Sequence, residues 1–432
     1  MKRLIEKELL AWKGKSDRKP LIVYGARQVG KSFSLLEFGR THYGNVAYFF
    51  FENNGRLQAL FAKGVDNVKT LFMELGQLAG QTITPGNTLV IFDEIQACPA
   101  ALSALKRICE TANDYHVACA GSLLGIALHR EKDYSFPVGK VDTLTMYPMT
   151  FREVLVAMNR EGLLDMIQEG FGSDTPLSPA MHDLALEHYR TYLALGGMPE
   201  CVQDYVNRGD FTLVQAKQLA ICENYVNDMV KYCSRDESMR IISTFNTIPA
   251  QLAKENRKFQ FSLIQSGARS KDFAAALFWL EKANIVVKVG KVKEGKMPLA
   301  GYEDLLSFKI YFGDVGLLAA KSNLSPAAIL TGQYGGEMKG SLAENFVAQE
   351  LTANGIRTYY WESSGTAEVD FVIQQRGIIV PVETKANVTT KAKSLDVFRK
   401  KYGSEKAIRV SSKNFGYGNG IKSVPHYAVG CI

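Results

Sequence analysis

The chain has 432 residues, of which 46% are hydrophobic and 22% charged, a balance that excludes disorder as the default and a length that predicts about two to four domains. No run approaches the ~18 apolar residues of a membrane span, and the opening MKRLIEKELLAWKGK is amphipathic and charged, unlike a signal peptide. A cytoplasmic protein that meets no membrane is therefore expected. The net charge is +7, and much of it is local: ten Lys/Arg stand against four Asp/Glu between Lys254 and Lys296. Such a cluster attracts polyanions through phosphate contacts, or is the solvated face of a lysine-rich segment. The seven cysteines are odd in number and never in CxxC spacing, so they read as reduced thiols rather than a disulfide framework or a zinc site.

In chain order, residues 1–149 alternate short apolar strand candidates (PLIVYGA, NVAYFFFE, NTLVIFDE, YHVACAGS, DTLTMYP) with helical stretches. This predicts a parallel sheet covered by helices on both faces. Residues 150–236 keep a helical period, with Gly196, Gly197 and Pro199 ending one helix. Residues 237–330 read as three helices and a basic hairpin, VVKVGKVKEGKMPL, with Ser270 as the N-cap of the third helix. That is the order of a winged helix, its last helix facing a DNA groove. Residues 331–432 form an α/β unit: the helix SLAENFVAQELTAN, the strands TYYWES, EVDFVI and IIVPVETK, a second helix and the strand KAIRVSS.

GARQVGKS, residues Gly25, Ala26, Arg27, Gln28, Val29, Gly30, Lys31 and Ser32, matches G-x-x-x-x-G-K-[ST] between a strand and a helix. The glycines let backbone N–H groups face phosphates, Lys31 reaches the β/γ-phosphates and the Ser32 hydroxyl takes Mg²⁺. The acid that completes an ATP site belongs at the end of a neighbouring apolar strand, where NTLVIFDE supplies Asp93 for the metal and Glu94 to polarise the attacking water. An N-cap is the alternative role for this pair, and for Ser122, which ends the next strand as a candidate catalytic sensor of the γ-phosphate. Arg130 and Lys140, in the stretch before the fifth strand, are the candidate basic finger.

The succession GARQVGKS, VIFDEIQ, AGSLL, YPMTFREV and GGMPE resembles the AAA+ ATPases of prokaryotes that carry a C-terminal domain of unknown function, and the resemblance covers nearly the whole chain. It implies an ATP-binding core, a helical lid, a winged-helix middle and a C-terminal domain similar to the PD-(D/E)XK, restriction-endonuclease-like fold. Where that family tends to have Gly-Arg before the fifth strand, this chain has Gly139 and Lys140. Lysine lacks the planar fork of arginine, which puts a finger at this position in question. The nuclease-like pattern asks for a helix Glu, a strand Asp and Glu-x-Lys on the next strand, and Glu344, Asp370, Glu383 and Lys385 fill it in order. Such a set can hold divalent metal beside a phosphodiester, or persist as ions on an inert scaffold.

The expected activity is thus Mg²⁺-dependent ATP hydrolysis, coupled to a DNA-binding winged helix and the nuclease-like domain. The alternative is a slow nucleotide-dependent switch that binds a protein partner and cuts nothing. A homo-oligomer is compatible with either.

Overall fold

A computed structural model of the chain describes residues 1–62, 64, 67–121, 136–254, 257–363, 367–386 and 393–432. It divides into two compact units, Met1–Tyr147 and Pro148–Ile432. In the first, β1 (Leu21–Tyr24), β2 (Asn45–Phe50), β3 (Thr88–Asp93), β4 (His116–Ala120) and β5 (Asp142–Thr145) make an all-parallel sheet of order β2-β3-β4-β1-β5. Every residue of β3 and β4 is buried, which is why these strands read as unbroken apolar runs rather than alternating ones. Among the described residues the α-helices are α1 (Ile5–Gly14), α2 (Lys31–His42), α3 (Gly55–Ala62), α4 (Val68–Ala79) and α5 (Pro99–Thr111). Asn67 starts α4 by accepting from the Lys69 and Thr70 backbone N–H groups, a cap whose loss costs about 1 kcal/mol. Phe92 of β3 meets Phe51 and Phe61 edge-on at centroid distances of 5.4 and 5.7 Å, locking α3 to the sheet. Because all five strands run the same way, the residues that follow β1 and β3 emerge at one edge of the sheet.

The second unit opens with helices: α6 (Phe151–Ala157), α7 (Glu161–Ser173), α8 (Pro179–Leu195), α9 (Pro199–Arg208), α10 (Phe211–Tyr232), α11 (Arg235–Leu252) and α12 (Ser270–Lys282). A capping box begins α6, with Thr150 and Glu153 bonded reciprocally. Gly196, at φ +69°, ends α8. The chain then forms β6 (Val286–Val292), β7 (Glu303–Phe312), α13 (Val315–Lys321), α14 (Pro326–Thr331), α15 (Gly336–Ala353), β8 (Thr358–Glu362), β9 (Glu368–Gln375) and β10 (Ile378–Thr384). It closes with α16 (Lys393–Tyr402), β11 (Ala407–Ser411), β12 (Gly416–Gly418) and β13 (Ile421–Pro425). The eight strands form one mixed sheet of order β12-β13-β11-β10-β9-β8-β6-β7.

Three local expectations change. Ser270 is the first helical residue, Arg269 occupies the cap position, and no side chain caps α12. The second hairpin strand begins at Glu303, after a 3-10 turn at Leu299–Tyr302, rather than within KMPL. Two helices and a short 3-10 turn at Phe261–Leu263, not three helices, precede the hairpin. The hairpin also pairs through β6 in parallel with β8, Gly290 opposite Tyr359. One sheet therefore runs through residue 330.

Buried acids organise the helical part of this unit. Glu350 of α15 accepts from the Phe151 N–H at 2.9 Å, and Asp314 accepts from the Gly197 N–H at 2.6 Å and the Leu317 N–H at 2.9 Å. Burial pushes the Glu350 carboxyl up to about 8, helped by Glu153 and opposed by the Phe151 N–H. Since the native value is raised, the stability tied to Glu350 is complete below its ordinary value of 4.5 and is lost as pH rises through about 8. Glu350→Gln, which keeps the acceptor for Phe151, should flatten the urea-unfolding stability between those pH values by up to about 1.4 kcal/mol per pH unit; an unchanged pH profile would contradict this.

Candidate functional site

Residues Gly25–Ser32 join β1 to α2 through three left-handed positions, Gly25 at φ +145°, Gln28 at +66° and Gly30 at +93°. A Cβ on Gly25 would lie 2.1 Å from the Met146 carbonyl oxygen, so only glycine lets the loop leave β1 beside the end of β5. Gly30 caps α2 with no side-chain bond. The first-turn N–H groups of α2 consequently keep their donors for an anion.

The Lys31 amine is buried and donates to the Gly25 and Ala26 carbonyl oxygens at 2.9 and 2.7 Å. Burial lowers its pKa to about 8, while the nearby Glu94 and Asp93 carboxylates pull the other way. Lysine, both acids and the helix start are thus brought together from opposite sides of β4. Asp93, 4% exposed, accepts from the Glu94 N–H through Oδ1 at 3.0 Å and from the Tyr48 hydroxyl through Oδ2 at 2.6 Å. Glu94 is left-handed at φ 49°, a costly conformation of the kind found at functional sites, and its Oε2 accepts from the Gln96 amide.

Arg3 donates to the Val29 and Tyr147 carbonyl oxygens at 2.7 and 2.8 Å, tying the N-terminal segment to the loop. Beside the first turn of α2 lies a cleft of about 510 Å³, lined by Arg3, Glu6, Leu9, Phe33, Glu37 and Phe38 among others. Arg3, Tyr48 and Gln96 are additions to the residues predicted from sequence. Gln96 had a signal, being two residues from Glu94; an isolated arginine and a tyrosine inside an aromatic strand had none. Ser122 and Arg130 lie outside the described residues. Lys140 pairs with Glu110 of α5 at 3.0 Å.

In the second unit Glu344, Asp370, Glu383 and Lys385 come together on α15, β9 and the end of β10, in company the sequence did not announce. Arg257 binds Glu344 Oε1 at 2.6 Å, and the Tyr311 hydroxyl donates to Glu344 Oε2 at 3.0 Å. Lys309, fully buried, lies 3.8 Å from Glu344 and 2.5 Å from Glu368. Asp370 accepts from the Thr384 N–H at 2.8 Å. Lys385, one residue beyond β10, pairs with Glu383 Oε1 at 2.7 Å, leaving Glu383 Oε2 buried without a partner. Burial, then the Glu344 charge, raises Asp370 to about 7 against the pull of Lys309 and Lys385.

A divalent ion does not fit this set as a three-carboxylate site, because Arg257, Lys309 and Lys385 already supply the positive charge that the carboxylates would offer it. No group of three His, Cys, Asp or Glu among the described residues is arranged to hold a metal ion. In the first unit a hydrated Mg²⁺ arriving with a nucleotide would need only one or two protein oxygens, and the Asp93 carboxylate at the end of β3 is available for that.

Residues 17–155 match a family model described as an AAA domain. The N-terminal unit therefore carries an AAA-type, ATPase-like domain. Two further models match, each described as a domain of unknown function: DUF8612 over residues 186–328 and DUF4143 over residues 339–427. No curated protein matches the chain. Among solved structures, a Walker-type ATPase of Pyrococcus abyssi is 16% identical over 74% of this chain and 95% of that one, with a TM-score of 0.42. The ORC1 protein of Aeropyrum pernix, solved with DNA, is 14% identical over 76% and 95%, with a TM-score of 0.30. Cdc6p from Pyrobaculum aerophilum is 12% identical over 76% and 93%, with a TM-score of 0.25. Scores this low carry no function across. Among the described residues, no helix is long and apolar enough to cross a membrane.

The Arg257–Glu344 pair generates a direct test. Arg257→Ala leaves the buried Glu344 carboxylate with the Tyr311 hydroxyl and with Lys309 at 3.8 Å, and should cost about 3 kcal/mol in urea unfolding, the low end for a broken buried pair. Adding Glu344→Gln should recover much of that loss; purely additive effects would mean that the two side chains do not act as a pair.

Proposed function

We propose that the chain is an ATP-binding, Mg²⁺-dependent P-loop ATPase whose nucleotide state governs what its second unit binds. The observation that carries this reading is the buried Lys31 amine, parked on its own loop's carbonyl oxygens, beside Asp93 and Glu94 and an uncapped α2. Triphosphate oxygens would replace those carbonyls as the partners of Lys31, and the α2 N–H groups would take the remaining phosphate charge. Asp93 and the Ser32 hydroxyl would hold Mg²⁺, which supplies charge neutralisation across the phosphates. Glu94 would orient and deprotonate the attacking water, with Gln96 keeping its carboxylate in place. The cleft beside Phe33 would take the nucleoside. A basic finger from Lys140 would first have to leave its exposed pair with Glu110.

Lys31→Ala should abolish nucleotide binding. Glu94→Gln should retain binding and lose at least about 100-fold in turnover. Equal ATP turnover in these variants and the wild type would overturn the assignment.

For the second unit we favour binding without cleavage. The support is the internal pairing of Glu344 and Glu383 with Arg257 and Lys385. A nuclease reading would require Mg²⁺- or Mn²⁺-dependent plasmid cutting that disappears in Asp370→Ala. DNA contact through α12 and the hairpin, as in a winged helix, is supported by the basic excess between Lys254 and Lys296. Part of that charge is engaged, however: Lys291 pairs with Glu362 and Lys296 with Glu294. If those ion pairs hold, Lys288 and Lys293 are left for phosphates, and the slope of log K against log salt should be near −2 rather than about −4. Fluorescence anisotropy with a short duplex measures it. No binding at low salt would leave a protein partner as the target.

A further inference from the structure

Tyr48 sits on β2, the edge strand of the first sheet, opposite Ile91 of β3, while Phe50 stands opposite Asp93. Tyr48 and Phe50 are two apart, share one face of the strand, and are 38% and 42% exposed. On such a face a tyrosine ordinarily turns its hydroxyl to water. Here it reaches diagonally across to the neighbouring strand and donates to Asp93 Oδ2 at 2.6 Å. The other oxygen, Oδ1, accepts from the Glu94 N–H at 3.0 Å. The terminal torsion of an aspartate is intrinsically broad. Two donors, one on each oxygen, fix the carboxylate plane and leave each oxygen one lone pair.

We infer that Tyr48 is a positioning residue for the Mg²⁺ site: its hydroxyl holds the Asp93 carboxylate so that the free lone pairs face the hydrated metal of bound Mg²⁺-nucleotide. This rests on the reading of Asp93 as the metal-anchoring acid. The phenol contributes orientation and no charge, so its removal weakens the metal-dependent part of nucleotide binding and leaves the metal-independent part, carried by Lys31 and α2, as it was. Tyr48→Phe deletes one oxygen from a partly exposed side chain, and the fold has no other use for that oxygen among the described contacts.

The experiment titrates the full-length chain with a fluorescent N-methylanthraniloyl ADP, once in saturating Mg²⁺ and once in EDTA, for the wild type, Tyr48→Phe and Asp93→Asn. The expected result is that Asp93→Asn abolishes the tightening caused by Mg²⁺. Tyr48→Phe should lose about tenfold of it, the effect of one hydrogen bond to a charged group. Affinities in EDTA should be the same for the wild type and Tyr48→Phe, while Asp93→Asn, which removes a negative charge beside the phosphates, should bind no more weakly there. A Tyr48→Phe protein with the wild-type Mg²⁺ effect, while Asp93→Asn loses it, overturns the role of Tyr48 and leaves the site reading standing. An equal loss in Mg²⁺ and in EDTA also overturns it, because a general structural defect would act on both. If Asp93→Asn keeps the full Mg²⁺ effect, the reading of Asp93 fails and the inference falls with it.

Discussion

Lys31 is a buried ammonium, and the first unit is arranged around the need to satisfy it. Desolvating such a group without partners costs several kcal/mol, so the loop folds back to offer the Gly25 and Ala26 carbonyls while Asp93 and Glu94 lend negative charge from the end of β3. Each partner imposes a further demand. The carbonyls face inward only because Gly25 can take φ +145° beside Met146. The acids are close because β1 and β3 flank β4 in one parallel sheet, and their orientation is taken up by Tyr48 and Gln96. Satisfying an amine with neutral carbonyls is a weak solution, open to replacement by any ligand bringing fixed negative charge.

The second unit meets the same constraint with the signs reversed. Its acids around β8–β10 are paired with cations of the same unit: Glu344 with Arg257 and Lys309, Glu368 with Lys309, Glu383 with Lys385, Glu362 with Lys258 and Lys291, whereas Glu350 and Asp314 are held by backbone N–H groups. A charge set closed in this way has little to gain from a metal ion. The first unit, by contrast, keeps the backbone donors at the start of α2 without a side-chain cap.

What was legible in the sequence was whatever depends on neighbours in the chain. The loop, the Asp93–Glu94 pair and the strands around them follow from local spacing and apolar runs, and their positions in the sheet agree. Glu344, Asp370, Glu383 and Lys385 were legible as an ordered set through the resemblance to the nuclease-like pattern. Their electrostatic setting was not, because Arg257 lies 87 residues from Glu344 and nothing in its surroundings marks it as a buried partner. The hairpin failed in another way. Its alternation says strand, but parallel pairing of β6 with β8 joins segments nearly seventy residues apart, and pattern alone does not choose between a free wing and a sheet member. Ser270 has the right chemistry for a cap, yet the helix starts at that residue, leaving Arg269 in the cap position.

The parallel β6–β8 pairing also bears on how the middle segment can act. A free wing can swing to follow a groove, whereas this hairpin is pinned through β8 to β9 and β10, the strands that carry Asp370 and Glu383. Lys291 of the hairpin and Lys258 converge on Glu362 at the end of β8, so part of the hairpin's charge is neutralised by an acid of the same sheet. Any polyanion that bound the hairpin would have to compete with Glu362 for those lysines, and any change in the C-terminal strands would alter the charge the hairpin presents. The middle and C-terminal segments are therefore joined both by strand pairing and by the ion pairs on Glu362.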